Sequence, residues 1–179
     1  MIEGFITMFG RKPKHNVSSP LEKGDHPELD NSDYLDFDGI AIYQSMIGSL
    51  QWAVSLGRID IQTATMTMSA FRSVPREGHL DRVKRMYSYV SKMRHAAIRM
   101  RTEEPDFSAL PEDPNTWGQS VYGEVREEIP KDIPKPLGKH VVTTHYEDAN
   151  LFHDIMTGRS VTGILHLINK TPFDWYSKK

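Results

Sequence analysis

Apolar residues recur at helical spacing through the middle of the chain and at strand spacing near its end. From about Asp38-Gly39, the residues Tyr43, Ile47, Leu50 and Val54 form one stripe, widened by Met46, and Gly57 is a natural stop. A second stripe follows at once. Asp60 is its expected N-cap, and Ile61, Ala64, Met68 and Phe71 share a face up to the break at Val74-Pro75. The third and longest, over Arg76–Arg101, carries Leu80, Val83, Tyr87, Val90 and Ala97 on one side. Three such helices joined by short connections predict a bundle with the stripes as its core. Residues 1–38 show little periodicity and several turn signals (Lys12-Pro13, Ser19-Pro20, Lys23-Gly24, His26-Pro27). They read as an extended arm with one short strand near Phe5–Phe9.

The pattern changes beyond residue 139. His140–Tyr146 is β-branched and aromatic, as a strand should be, and delivers Asp148 just past its end. A turn at Thr157-Gly158-Arg159 precedes a second apolar run, Val161–Ile168, and a third short segment, Phe173–Tyr176, follows Lys170-Thr171-Pro172. These predict an antiparallel three-stranded meander over 140–179. The stretch 102–139 between helices and strands holds six of the eleven prolines and reads as an acidic linker, with a short element around Trp117–Tyr122. The fold class expected is α+β.

Composition narrows the classes. With 38% hydrophobic and 26% charged residues, the chain suits a globular protein with generous loops. No run approaches the ~18 apolar residues of a membrane span, and the N-terminus lacks a secretory pattern, so no membrane role and an intracellular location are expected. The absence of cysteine excludes disulfides, thiolate catalysis and cysteine-ligated zinc. The net charge of −2 conceals an asymmetry. Arg72–Arg101 carries nine Lys/Arg against two acids, whereas Met1–Ile40 carries four against eight and Thr102–His140 four against nine. The middle third alone has the charge for a polyanion.

Candidate chemistry follows from those two regions. Arg82, Lys84, Arg85, Lys92 and Arg99 repeat along the third helix and suit contacts to a nucleic-acid backbone. The competing reading is a solvated face whose charges pair with the acidic linker. Asp148 is the carboxylate candidate, with Glu147 on the opposite face and Asp154 and Asp174 as turn and surface acids. His140, His145, His153 and His166 have no tight ligand spacing, so edge or surface positions are expected. Trp52, Trp117 and Trp175 read as packing residues.

Several of these words resemble one family. Tyr146-Glu147-Asp148-Ala149-Asn150, Gly158-Arg159-Ser160-Val161-Thr162-Gly163 and Trp175-Tyr176-Ser177-Lys178-Lys179 are similar to the ribonuclease H start of copia-type retrotransposon polyproteins, roughly S-D-A-D, R-S-T-S-G and W-S-S-K-K. Phe9-Gly10, Lys12-Pro13 and Ser19-Pro20-Leu21 resemble the segment after that family's polymerase palm. Tyr43–Trp52 resembles its Y-x-S-x-(V/I)-G-S-L-x-(Y/W) helix. Arg58-Ile59-Asp60-Ile61 is similar to its R-P-D-I, with isoleucine replacing proline. Pro75, His79, Lys84-Arg85 and Tyr89-Val90 fit its P-x3-H-x4-K-R-x3-Y-(L/V) helix. The matches run in the family's order over almost the whole chain.

The resemblance implies a three-helix thumb/connection-like bundle followed by an incomplete ribonuclease-H-like meander. It implies a parent activity of RNA-directed DNA synthesis and RNA-strand hydrolysis. The implied partners are an RNA–DNA or DNA duplex and the rest of the polyprotein, and Mg²⁺ is the parent's cofactor, with Asp148 as one metal ligand. The departures matter. The polymerase's aromatic-x-Asp-Asp turn is absent, since Tyr34-Leu35-Asp36-Phe37-Asp38 separates its carboxylates by one residue and reads as solvated loop. The later ribonuclease H carboxylates are absent too, and Glu147 stands where the family has a small polar residue. Two-metal hydrolysis holds its ions about 4 Å apart with several carboxylates, so one Asp predicts a chain inactive by itself. Two rival readings stay open: a non-catalytic nucleic-acid-binding protein and a protein-interaction module.

Overall fold

The computed structural model describes residues 1–14, 16–108, 119–120, 123–124, 131–132, 138–150 and 153–178. It is an α+β arrangement in which helices precede a three-stranded antiparallel sheet.

Four α-helices are described where three are expected. The additional one, α1 (Ile2–Phe9), occupies the stretch read as an extended arm with a short strand. Phe5 is its buried residue, stacking on Tyr87 with ring centroids 5.4 Å apart and meeting Phe9 at 4.7 Å. Eight residues are too few for a stable isolated helix, so docking on the core supplies what propensity does not. Gly10 closes it at φ 64°, its N–H donating to the Ile6 carbonyl.

Helix α2 (Phe37–Ser55) follows the predicted stripe closely. Tyr43, Met46, Ile47 and Leu50 are fully buried. Its N-cap is Asp36, whose Oδ1 accepts the Gly39 N–H at 2.8 Å, so the carboxylates read as solvated loop begin the helix instead. Trp52 is 67% exposed, contrary to the packing role expected. It stands two residues from Leu50 and therefore faces away from the stripe.

A 3₁₀ turn (Ile59–Ile61) leads into α3 (Gln62–Ser69), shorter than predicted. Asp60 does not cap it. Its carboxylate takes two hydrogen bonds of 2.8 Å from Arg58. Helix α4 (Glu77–Lys92) buries Val83, Tyr87 and Val90 as expected but stops nine residues early, leaving Ala97 and Arg99 exposed outside it. Beyond Val90 the apolar stripe lapses, and Ile98 instead leans on Gly57, where a Cβ would lie 3.3 Å from its Cδ1. Gly57 also holds φ at 105°, so the corner needs glycine twice over.

The core joins Phe5, Val17, the α2 stripe, Ile61, Met68 and the inner face of α4. Its two buried phenols are satisfied. Tyr43 OH donates to the Met68 carbonyl at 2.7 Å and Tyr87 OH to the Met46 carbonyl at 3.2 Å, and burial raises both above the ordinary tyrosine range.

Two short pairs of residues, β1 (Gln119–Ser120) and β2 (Gly123–Glu124), form an antiparallel contact within the stretch read as linker. Most of that stretch, including Trp117 and Tyr122, lies outside the described residues. The meander is β3 (Thr143–Asn150), β4 (Val161–Ile168) and β5 (Thr171–Lys178), in the order β3-β4-β5. β4 spans the predicted run, and β5 is longer at both ends than its prediction. The β4–β5 turn is Asn169-Lys170, both at positive φ (48° and 64°), the backbone of a tight two-residue hairpin. Asn169 Oδ1 accepts the Val142 N–H at 3.0 Å, while its own N–H donates to the Val142 carbonyl. The sheet touches the bundle through α3 and β5, and the Arg101 N–H donates to Thr171 Oγ1 at 2.8 Å.

Candidate nucleic-acid interface and carboxylate site

The cations predicted to share one exposed helix face are largely engaged. Arg82 reaches back to the segment before α2. Its Nε and Nη2 both bind the Asp25 carboxylate at 2.9 Å, and Nη1 binds Asp30. Arg85 Nη1 pairs with Glu22 at 2.9 Å, Lys84 Nζ with Asp81 at 2.9 Å, and Lys92 Nζ donates to the Val17 carbonyl at 2.8 Å. Arg99 is off the helix altogether. Pairing with acids was the competing expectation, yet among the described residues the acids are Glu22, Asp25, Asp30 and Asp81, none of them from the 102–139 stretch.

His79 anchors this arrangement. It is 3% exposed and its ring stacks on Phe71 at 4.1 Å. Nδ1 accepts the Arg76 N–H at 3.1 Å, which fixes the proton on Nε2, and Nε2–H donates to the Pro27 carbonyl at 2.9 Å. One neutral imidazole thus caps α4 and pins the acidic segment to it. Burial holds its pKa below the ordinary histidine value, with Arg82 and Arg76 pushing the same way against the Pro27 hydrogen bond and Asp30. Burial would raise Asp30, but hydrogen bonds from Ser32 and Arg82 outweigh it and bring its carboxyl down to about 2. Gly78 permits the approach, since a Cβ there would sit 2.0 Å from Asp30 Oδ2.

The N-terminal turn contributes cations that the helix pattern did not single out. A cavity of about 420 Å³ is lined by Arg11, Lys12 and Lys14 from the segment after Gly10 and by Lys84 and Arg85 from α4, with Asp81 as its one acid. The legible signal was the Arg-Lys-Pro-Lys run at 11–14, whose Lys12-Pro13 served as a turn marker and as part of the family resemblance, not as a pair with charge to offer.

Asp148 lies within β3 and not past its end, because the ladder continues to Asn150. It stands opposite Gly163, which in turn pairs with Ser177. Pleating places Tyr146 and Asn150 on the same face and sends Glu147 to the other. A cavity of about 410 Å³ beside Asp148 is bounded by Ile59, Gln62 and Thr63 of the bundle and by Leu165 and Trp175 of the sheet. None of the five predicted cations lines it, so the structure brings Asp148 and the basic residues to separate places. Asp148 is an oxygen donor of the kind Mg²⁺ prefers, but its same-face neighbours are Tyr146, Asn150, a glycine and a serine. These do not make a two-metal site. Among the described residues there is no group of three or more His, Asp or Glu side chains placed to hold a metal ion.

The neighbouring acids and histidines have structural duties. Asp154 is buried and its Oδ1 accepts the Met156 and Thr157 N–H groups at 2.9 and 3.0 Å, organising the turn before β4. His145 and His166 face each other across β3 and β4, joined through their Nδ1 atoms, on the sheet face away from Asp148. No helix among the described residues is long and apolar enough to cross a membrane.

No family model, no curated protein and no solved structure matches the chain.

Proposed function

We propose that this chain is a segment of a copia-type retrotransposon polyprotein: the thumb/connection helices of its reverse transcriptase joined to the first strands of its ribonuclease H. The parent activities are RNA-directed DNA synthesis and hydrolysis of the RNA strand. The chain alone performs neither, and the rest of the polyprotein is its partner. The observation that carries the reading is Asp148 on the first strand of an antiparallel three-stranded meander, facing a glycine across the ladder. A bare backbone opposite a carboxylate leaves room for a substrate or ion beside it, yet one carboxylate cannot hold two Mg²⁺.

The test is hydrolysis of an RNA–DNA hybrid in Mg²⁺ by the full chain and by Asp148→Asn. No cleavage above background is expected from either. Mg²⁺-dependent cleavage abolished by Asp148→Asn would overturn the reading of inactivity.

A second reading, non-catalytic nucleic-acid binding with Asp148 idle, is favoured by the cluster of Arg11, Lys12, Lys14, Lys84 and Arg85 around one cavity. Here the duplex backbone is the partner and binding should weaken steeply with salt.

A further inference from the structure

The cations of α4 fall into two sets. Arg82 is consumed by Asp25 and Asp30, which occupy its donors much as a phosphate would. The other set lines the cavity shared with Arg11, Lys12 and Lys14. There Lys84 is drawn toward Asp81 and lies 5.3 Å from the Phe9 ring, and Arg85, which also lines the cavity, gives Nη1 to Glu22 at 2.9 Å and Nη2 to Ser19 Oγ at 3.5 Å. Arg85 Nε is buried, and among the described residues no acceptor reaches it. A buried guanidinium N–H without an acceptor is costly, and Arg85 is one of the residues lining the cavity.

The turn that faces α4 here is held in place at its ends. Gly10 caps α1 in the left-handed conformation, Pro13 and Val17 are buried, and the Val17 carbonyl takes the Lys92 ammonium. Arg11, Lys12 and Lys14 are exposed along it. Five cations against one acid therefore converge on a space of about 420 Å³, within the ~300–1,000 Å³ typical of ligand sites. Lysine point charges beside an arginine fork suit a chain of phosphodiesters better than an apolar or cationic ligand.

We propose that this cavity is the chain's anchoring site for the backbone phosphates of a nucleic-acid duplex, with Arg11, Lys12, Lys14 and Arg85 making the contacts. The proposal rests on the nucleic-acid-binding reading and relocates it, from the outer face of α4 to the junction of α4 with the N-terminal turn.

The experiment measures binding of a fluorescent RNA–DNA hybrid to the full chain across a salt series. It compares wild type with the triple variant Arg11→Gln/Lys12→Gln/Lys14→Gln and with a control, Arg94→Gln/Arg99→Gln. All five positions are exposed, and a thermal melt confirms that each variant folds. At about 0.1 M salt the triple variant should lose at least about tenfold in affinity, its salt slope falling by about one for each phosphate-contacting cation removed, and the control should lose far less. Wild-type binding with equal loss in both variants would overturn the site while leaving nucleic-acid binding intact. No wild-type binding at low salt would overturn both. Competition by poly-glutamate as effective as by unlabelled duplex would overturn the phosphate assignment.

Discussion

Residues 2–92 and residues 143–178 are both regular, yet they are held together by different forces. In the helical part Tyr43, Met46, Ile47, Leu50, Val83 and Met86 are fully buried and meet in one core. Each such side chain contributes about 1.5–3 kcal/mol by leaving water. In the meander Val161 is the one buried apolar residue among those described, while Tyr146, Phe173 and Tyr176 are 60%, 50% and 48% exposed. The strands have a nearly complete ladder but little core. A ladder fixes register without much net stability, because its hydrogen bonds replace bonds to water. Three strands gain lasting order only when one face is packed, and here the packing is what α3 offers to β5. A reacting site tolerates only small errors in position, so a carboxylate on such a sheet depends on that packing for its placement.

The largest effect that would sharpen this contrast is in the core. Leu50→Ala should cost about 2–5 kcal/mol in urea-induced unfolding, whereas Leu165→Ala on half-buried β4 should cost about 1 kcal/mol. Equal losses would remove the distinction between the two regions.

Next in size is His79. His79→Ala removes a cap and leaves the Arg76 N–H and the Pro27 carbonyl without partners, at a cost of about 2–3 kcal/mol. The wild type also carries a pH signature. His79 is lowered in the fold, so the unfolded chain binds the proton more readily. Its contribution is complete above about pH 6.5 and is lost as the pH falls through the lowered folded value. Asp30, also lowered, adds a loss only between about pH 4 and about 2. Stability measured from pH 7.5 to 5 should decline in the wild type and decline less in His79→Gln.

Gly78→Ala sets two effects against each other. Alanine favours a helix by up to about 1 kcal/mol, but its Cβ would displace the Asp30 carboxylate from Arg82 and Ser32, and hydrogen bonds to charged groups are worth about 1.5–3 kcal/mol each. The net loss of stability should be about 2 kcal/mol, read as a lowered thermal midpoint. The smallest effect has the opposite sign and lies in the meander. Lys170 adopts φ 64° in a turn that favours glycine at its second position, so Lys170→Gly should stabilise by roughly 0.5–1 kcal/mol. A thermal melt with β-strand circular dichroism as the probe reads it.

The periodic elements were legible in the residues themselves. The α2 stripe and the β4 run carry a period over enough residues to fix their type, and their observed bounds follow. Helix α1 was hidden because eight residues resemble a loop until Tyr87, far along the chain, packs against Phe5. The overlong α4 arose because Met93–Arg101 lacks any breaker, so only the loss of core contact ends the helix. The fate of the basic residues was the least visible. Asp25 and Asp30 meet Arg82 across more than fifty residues of chain, and no local charge count reveals such a pairing. Asp148 was legible as a residue but not as a site, since its surroundings depend on register and on what the bundle brings near.

The most direct measurement is native-state amide hydrogen exchange on the full chain. Amides of β4, central in its sheet, should exchange through openings of distinctly lower free energy than those of α2 and α4, whose slowest amides report global unfolding. Protection of β4 equal to that of Leu50 and Tyr87 would show a meander stabilised in its own right and would contradict the account.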